Sequence, residues 1–178
     1  MSHNKSKVPP WVQGPYEIIR HADEHLTLGG DTDRHIALIG FDNAIEICID
    51  VFITLHPTVR GVEISKNEIE KAKINYHTKL EFFYNFVKNM GTQVNIPIEN
   101  VVWYHQLRNG LYHSGNGLVP EKHAILGAQA AAYLIFEILF RMKLGELSDW
   151  QEKPSEKPIS KKLTADEIDE WLKLFREK

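Results

Sequence analysis

Residues 34–55 constrain the fold most, because the helix they predict is apolar on nearly every face. Its apolar members are Ile36, Leu38, Ile39, Phe41, Ile45, Ile47, Ile49, Val51, Phe52 and Ile53. A helix of this kind needs neighbours on all sides, so it belongs at the centre of a domain. The turn-forming residues 29–33 precede it and can cap it, and His56-Pro57 ends it. The sequence therefore predicts an all-α fold around this helix.

Four further helices are predicted, each bounded by residues that favour a helix start or stop. Their expected bounds are 15–28, 65–90, 98 or 99 to a break at 114–117, and 120–144. Ser65 and Glu68 form a capping-box pattern at the start of the second, and Pro120 suits the first turn of the last. Residues 58–64 are expected as a loop or a short strand.

Both ends of the chain differ from this helical middle. Residues 1–14 hold two prolines and Gly14, which predicts an extended N-terminal arm before a helical domain over 15–144. Residues 145–163 contain two prolines and several lysines and indicate a linker. Residues 164–178 then predict a short amphipathic C-terminal helix. Its apolar face holds Ile168, Trp171, Leu172 and Phe175.

Composition limits the function classes. The chain has 178 residues, 43% of them hydrophobic, which suffices for one well-packed domain. Its formal charge of −3 argues against coating nucleic acid through bulk charge, although an enzyme can still grip one or two phosphates locally. Cys48 is the only cysteine, so no disulfide forms within one chain. This fits a cytoplasmic protein.

Membrane association is not expected. Residues 1–10 are polar and basic and lack the apolar core of a secretory signal. The longest apolar stretch, 124–140, is interrupted by Gln129 and Glu137. It is short and polar for a membrane span, so a buried helix is the expected structure.

Polar side chains gather at the end of the fourth predicted helix. Arg108, Asn109 and His113 fall within six residues, and the sequence Ser-Gly-Asn-Gly follows at once. Arginine can clamp a phosphate through a planar fork of donors, and histidine transfers protons near neutral pH. His105 shares a helical face with Asn109 and His113, and Tyr112 lies one turn after Arg108. We therefore predict a phosphate-handling site, with His105 and Tyr112 in support.

An acidic stripe crosses the otherwise apolar helix 34–55. Asp42, Glu46 and Asp50 repeat at every fourth residue. Carboxylates are rarely buried without partners, so a basic group should face them, and Arg108 or His113 is a natural candidate. Alternatively, the stripe is the one solvent-exposed edge of this helix and pairs with surface lysines.

These segments resemble the HEPN superfamily of small all-helical domains, many of which are metal-independent ribonucleases with an R-x4-6-H signature. The acidic run 33–46 resembles their acidic helix, and residues 107–118 resemble their catalytic helix and loop. The resemblance covers roughly 15–143. It implies a bundle of four to five helices that dimerises, so that two motif helices face a shared cleft. It also implies Arg108 and His113 as catalytic residues, with Asn109 beside them and Asp42 and Glu46 as the acidic residues.

The function implied is cleavage of RNA by attack of its own 2′-hydroxyl, without a metal or other cofactor. The products would be a 2′,3′-cyclic phosphate and a 5′-hydroxyl. The resemblance also suggests antiviral defence or a toxin–antitoxin pair, with a regulatory or antitoxin partner. The alternative is a non-catalytic HEPN-like module for dimerisation or for binding a nucleotide, an RNA or a partner. Turnover that depends on Arg108 would separate the two.

Residues 20–25 offer a competing site. His21 to His25 fit the H-x-x-E-H pattern of a class of zinc peptidases, with both histidines on one helical face. A peptidase needs a third ligand, and no glutamate downstream has a distinctive setting. Arg20 and His25 also repeat the R-x4-H spacing. A zinc hydrolase is the weaker hypothesis, and we expect no metal here.

Overall fold

The computed structural model describes residues 6–114 and 119–148, without the side chains at 6, 112–114 and 148. Over these residues the chain is almost wholly helical, which confirms the all-α prediction. The helices are α1 (Gln13–Leu28), α2 (Asp31–Thr54), α3 (Pro57–Arg60), α4 (Lys66–Ala72), α5 (Tyr76–Asn89), α6 (Ile98–Ser114) and α7 (Lys122–Phe140). Two 3-10 turns, Pro10–Val12 and Leu144–Glu146, and a two-residue parallel pairing of Ser6–Lys7 with Leu147–Ser148 complete the fold.

Helix α2 lies at the centre, as its apolar pattern predicts. It packs against α1, α5, α6 and α7, and its side chains Phe41, Ile45 and Ile49 are fully buried. A Cβ atom added at Gly40 would lie 2.8 Å from the Cβ of Ala22, so this glycine lets α1 approach closely. The central position of α2 brings its polar stripe within reach of α5 and α6.

The single helix predicted over 65–90 is wrong, because the chain turns at residues 73–75. Asn75 caps a new helix: its side chain accepts a hydrogen bond from the backbone N–H of Thr78 at 3.0 Å. The Thr78 hydroxyl in turn accepts one from the backbone N–H of Asn75 at 3.0 Å. This second capping box satisfies the backbone N–H groups of Asn75 and Thr78 and so begins α5 as a separate helix. The turn places Tyr76 and Lys79 in the first turns of α5, opposite α2.

The segment expected as a loop or short strand after α2 contains the short helix α3 instead. His56 caps it by accepting from the backbone N–H of Thr58, and Pro57 fits its first position. Arg60 is buried, and its Nη1 donates to the carbonyl of Ile53 at 2.9 Å. A cation at the carboxyl end of α2 complements the helix dipole and ties α3 to the core.

The chain ends differ from the expected arm and linker where they are described. Val8 and Val12 are buried in the core, because the pairing of Ser6–Lys7 with Leu147–Ser148 holds this segment on the helices. Helix α7 stops at Phe140, four residues before the predicted end, since Arg141 adopts a left-handed conformation with φ 55°. The predictions for 149–178, which include the amphipathic helix, lie outside the described residues.

Helix α7 is long and apolar enough to cross a membrane by length and hydropathy alone. Half of the qualifying window is buried within the protein, and Ile125, Ile135 and Phe136 belong to its core. A buried core helix meets the same criterion, so this feature does not indicate a membrane span.

Candidate functional site

Arg108 lies near the carboxyl end of α6 and faces α2. Its Nη2 donates to Asn43 Oδ1 at 3.0 Å, and its Nη1 donates to Asn109 Oδ1 at 2.9 Å. Its Nε lies 3.6 Å from Asp42 Oδ2, which makes an ion pair. The arginine side chain is nevertheless 25% exposed. The guanidinium is therefore oriented by α2, while about a quarter of the arginine side chain remains exposed.

Asp42 is the centre of this arrangement and is only 1% exposed. Tyr76 Oη donates to its Oδ1 at 2.9 Å, and His105 Nδ1 lies 2.9 Å from its Oδ2. Arg108 supplies the third partner. We call these four residues the Asp42 cluster. The cluster connects three helices, because Asp42 belongs to α2, Tyr76 to α5, and His105 and Arg108 to α6. These hydrogen bonds and the ion pair allow the charged carboxylate to stay buried.

His105 and Tyr76 hold each other as well as Asp42. Their rings stack with centroids 3.7 Å apart and planes 12° from parallel. Because a carboxylate only accepts hydrogen bonds, His105 donates from Nδ1 in this contact. Burial, followed by the negative charge of Asp42, raises the pKa of Tyr76 far above its ordinary value. The phenol therefore remains a neutral donor to Asp42.

The other two carboxylates of the stripe have a different partner. Lys79 Nζ lies 2.6 Å from Glu46 Oε1 and 2.8 Å from Asp50 Oδ2. Burial acts to lower the pKa of Lys79, but the hydrogen bonds to Asp50 and Glu46 outweigh it, so the pKa is raised. The stripe is thus divided between two basic groups, Arg108 on α6 and a largely buried lysine on α5. Asp42 is buried, whereas the side chains of Glu46 and Asp50 are 36% and 38% exposed. The exposed-edge alternative therefore describes these two carboxylates, except that their lysine partner is largely buried.

The predicted site residues separate into three sets. Asp42, His105, Arg108 and Asn109 come together at the α2–α6 contact. Glu46 lies one turn further along α2, with its lysine partner. Tyr112 and His113 occupy the last turns of α6, and their side chains lie outside the description.

Sequence reasoning missed Asn43 and Tyr76, which both contact this site. Asn43 is the residue after Asp42, and Tyr76 precedes the buried Leu80 and Phe83 on one face of α5. The spacing of these residues indicates a buried helix face. The prediction of one continuous helix over 65–90, however, placed no helix start at residue 76. The pattern Asn75-x-x-Thr78 was the signal that could have revealed it.

The competing motif on α1 has other partners. Arg20 pairs with Glu24 at 3.0 Å, and His25 Nδ1 lies 2.7 Å from Asp33 Oδ1. His21 is largely exposed, with a side-chain exposure of 67%. Within 6–114 and 119–148, no group of three or more His, Cys, Asp or Glu side chains is arranged to hold a metal ion. The second copy of the R-x4-H spacing is therefore engaged in local pairs on α1 and at the start of α2.

A groove of ≈540 Å3 lies elsewhere, between α4, α5 and residues 62–64. Phe82, Phe86 and Met90 contribute to its apolar lining, and Glu68 and Lys71 are among its polar residues. None of the predicted site residues lines it. Its volume therefore gives no support to the arginine–histidine motif.

Comparison with known proteins adds no family to this geometry. No protein-family model, no curated protein and no solved structure matches the chain. The likeness to HEPN domains therefore depends on residues 33–46 and 107–118 alone.

Proposed function

We propose that this chain is a HEPN-type, metal-independent endoribonuclease with a HEPN-like helical bundle. The observation that carries the proposal is the setting of Arg108. It is a partly exposed arginine, oriented by Asp42 and Asn43, on the same helix as His113 and five residues before it. An arginine held in this way can meet a phosphate without first losing much side-chain freedom.

Arg108 binds the scissile phosphate in this proposal. The phosphorus becomes five-coordinate in the transition state, and the charge on its oxygens increases. A guanidinium aligned beforehand stabilises that charge, an effect typically worth ~10²–10³ in rate for one donor. Asn109, whose Oδ1 accepts from Arg108, keeps the guanidinium plane in place.

His113 supplies the proton transfers. A neutral imidazole takes the proton of the 2′-hydroxyl as its oxygen attacks phosphorus. The bond from phosphorus to the 5′-oxygen breaks, and that oxygen takes a proton from an imidazolium. The products are a 2′,3′-cyclic phosphate and a 5′-hydroxyl, so atoms and charge balance without a metal or an added water.

A two-fold dimer would provide the base and the acid together. One motif contributes one histidine at position 113, whereas cleavage needs proton transfer on both sides of the phosphate. Motif helices that meet across a two-fold axis supply a second histidine from the same sequence. The proposed setting is the cytoplasm, with a defence or toxin–antitoxin role and a regulatory or antitoxin partner.

One observation favours the alternative, a non-catalytic module for dimerisation or for binding RNA or a nucleotide. The contacts of Arg108 with Asp42 and Asn43 also tie α6 to α2, which is a structural task. An arginine kept for that purpose would need no substrate. Loss of cleavage without loss of folding separates these two roles.

The test is incubation of the protein with transfer RNA and messenger RNA in EDTA, followed by mapping of the cleaved ends. Arg108→Lys and His113→Gln should each lower the rate by about 10²–10³ while the circular dichroism spectrum shows that the helices remain folded at the assay temperature. Arg20→Lys and His25→Gln repeat the same changes in the α1 copy and should leave the rate unchanged. Full activity in Arg108→Lys, or loss in the α1 controls, would refute the assignment.

A further inference from the structure

The groove between α4, α5 and residues 62–64 leaves large apolar side chains in contact with water. Ile74, in the turn between the two helices, is 69% exposed, and Met90, at the end of α5, is 44% exposed. Both residues line the groove. One exposed apolar residue is ordinary on a protein surface, but two that line one groove form a patch of the kind that marks an interaction site.

The aromatic part of this groove is held in place by the core. Phe82 and Phe86 line it and are partly buried. Their rings stack with centroids 5.9 Å apart and planes 16° from parallel. Phe86 also contacts Phe52 of the central helix α2, with ring centroids 5.2 Å apart. A ligand would therefore meet an apolar surface that is already ordered, which lowers the entropic cost of binding.

The groove follows the length of α5. Thr78, Phe82, Phe86 and Met90 all line it at intervals of four residues, so they form one continuous stripe on the helix. The stripe spans twelve residues, or about 18 Å at 1.5 Å per residue. This length matches about three turns of a second helix laid beside α5. A hydrophobic groove of this form is the usual receptor for the apolar face of an amphipathic helix.

The charged residues of the groove are mostly acidic. Glu63, Glu68 and Glu81 line it, with Lys71 as the lysine among its lining residues. The Glu68 carboxylate accepts from the Ser65 hydroxyl at 2.6 Å, whereas the side chains of Glu63 and Glu81 are exposed to solvent. Carboxylates at this surface attract cationic groups and repel phosphates and fatty-acid carboxylates.

We infer that this groove docks an amphipathic helix of a partner protein. The apolar face of that helix lies along Phe82, Phe86 and Met90, and its lysine or arginine side chains face Glu63 and Glu81. The inference is independent of the proposed ribonuclease, because none of the predicted site residues lines the groove.

The experiment measures binding of a labelled synthetic peptide of about fifteen residues by fluorescence anisotropy. Leucine occupies every third or fourth position, and lysine and alanine occupy the other faces. Ile74→Ala and Met90→Ala should each weaken binding about 10-fold, because each removes apolar area that the peptide covers. Leu28→Ala is the matched control: Leu28 is 71% exposed at the end of α1, away from the groove, and its loss should leave the affinity unchanged.

Two further comparisons test the charge of the partner. A peptide with glutamate in place of every lysine should bind more weakly. Glu63→Gln and Glu81→Gln should each weaken binding of the lysine peptide about 2- to 5-fold and reduce its dependence on salt. Glu70→Gln is the control on α4, because Glu70 is 65% exposed and does not line the groove.

Four results would overturn the inference. If the lysine peptide binds no more tightly than a scrambled peptide of the same composition, no such helix docks. If Ile74→Ala and Leu28→Ala have equal effects, the peptide binds elsewhere. If the glutamate peptide binds as tightly, the partner is not basic. If Ile74→Ala lowers the molar mass measured by light scattering, the groove is an interface between copies of this chain.

Discussion

Asp42 offers the most demanding test of the site, because one buried carboxylate joins three helices. Replacing it by alanine removes the acceptor for Tyr76 and His105 and the anionic partner of Arg108. Asp42 is 1% exposed, so water cannot readily take its place. Removing one partner from a buried charge pair typically costs ~3–5 kcal/mol. That is a large part of the ~5–15 kcal/mol that stabilises a domain of this kind.

Two milder variants keep the experiment interpretable if Asp42→Ala does not fold. Asp42→Asn preserves the volume and one acceptor but places an NH2 group among donors, with an expected loss of ~1–3 kcal/mol. Tyr76→Phe removes only the 2.9 Å hydrogen bond to the carboxylate and should cost ~1.5–3 kcal/mol. In the double variant Asp42→Asn/Tyr76→Phe the two losses of unfolding free energy should not add, because both changes disturb the hydrogen bond between these residues.

The assay is urea unfolding followed by circular dichroism at neutral pH. Asp31→Ala is the control, since this carboxylate also belongs to α2 but is 71% exposed and pairs with Arg34 at 3.4 Å. Its loss should change the unfolding free energy by less than about 1 kcal/mol. Two results would contradict the description of the Asp42 cluster as a coupled unit. One is an equal loss of unfolding free energy in Asp42→Ala and Asp31→Ala. The other is full additivity of the losses from Asp42→Asn and Tyr76→Phe.

Three further predictions concern stability. Gly127→Ala should destabilise by ~1–3 kcal/mol, because the new Cβ atom would clash with the hydroxyl and ring of Tyr104; Gly14→Ala, with nothing within 4 Å of its Cβ, should not. An equal thermal midpoint for these two variants would contradict the close packing of α6 on α7. Asn75→Ala should cost ~1 kcal/mol by removing the cap of α5, and an unchanged urea midpoint would count against the capping box. The raised pKa of Lys79 means that its ion pairs stabilise the fold below the ordinary value of 10.5 and are lost as pH rises through the higher folded value. When the pH is raised from below 10.5 to above the pKa of the folded protein, the urea midpoint should fall less in Lys79→Met than in wild type. Equal falls in the two proteins would show that Lys79 does not cause the loss of stability.

The sequence was sufficient for the features that depend on neighbouring residues. The central helix was recognisable because its apolar residues repeat within a few turns, and α2 begins and ends within three residues of the predicted bounds. The Ser65 box was equally local, and it forms: Glu68 Oε2 accepts from the backbone N–H of Ser65 at 3.0 Å. The same pattern starting at Asn75 went unrecognised, although the information lay in four adjacent residues.

The partners within the site depended on packing. Asp42 is 34 residues from Tyr76 and 63 from His105, and no local pattern says which helix meets which. The sequence offered Arg108 or His113 as the basic partner of the acidic stripe. In the structure α5 packs on α2, and Lys79 pairs with Glu46 and Asp50, whereas Arg108 pairs with Asp42. Helical periodicity is set by backbone hydrogen bonds within each segment, so it can be inferred from the chain. The pairing of charges across helices is set by how their side chains pack together, and it appears only when the core is assembled.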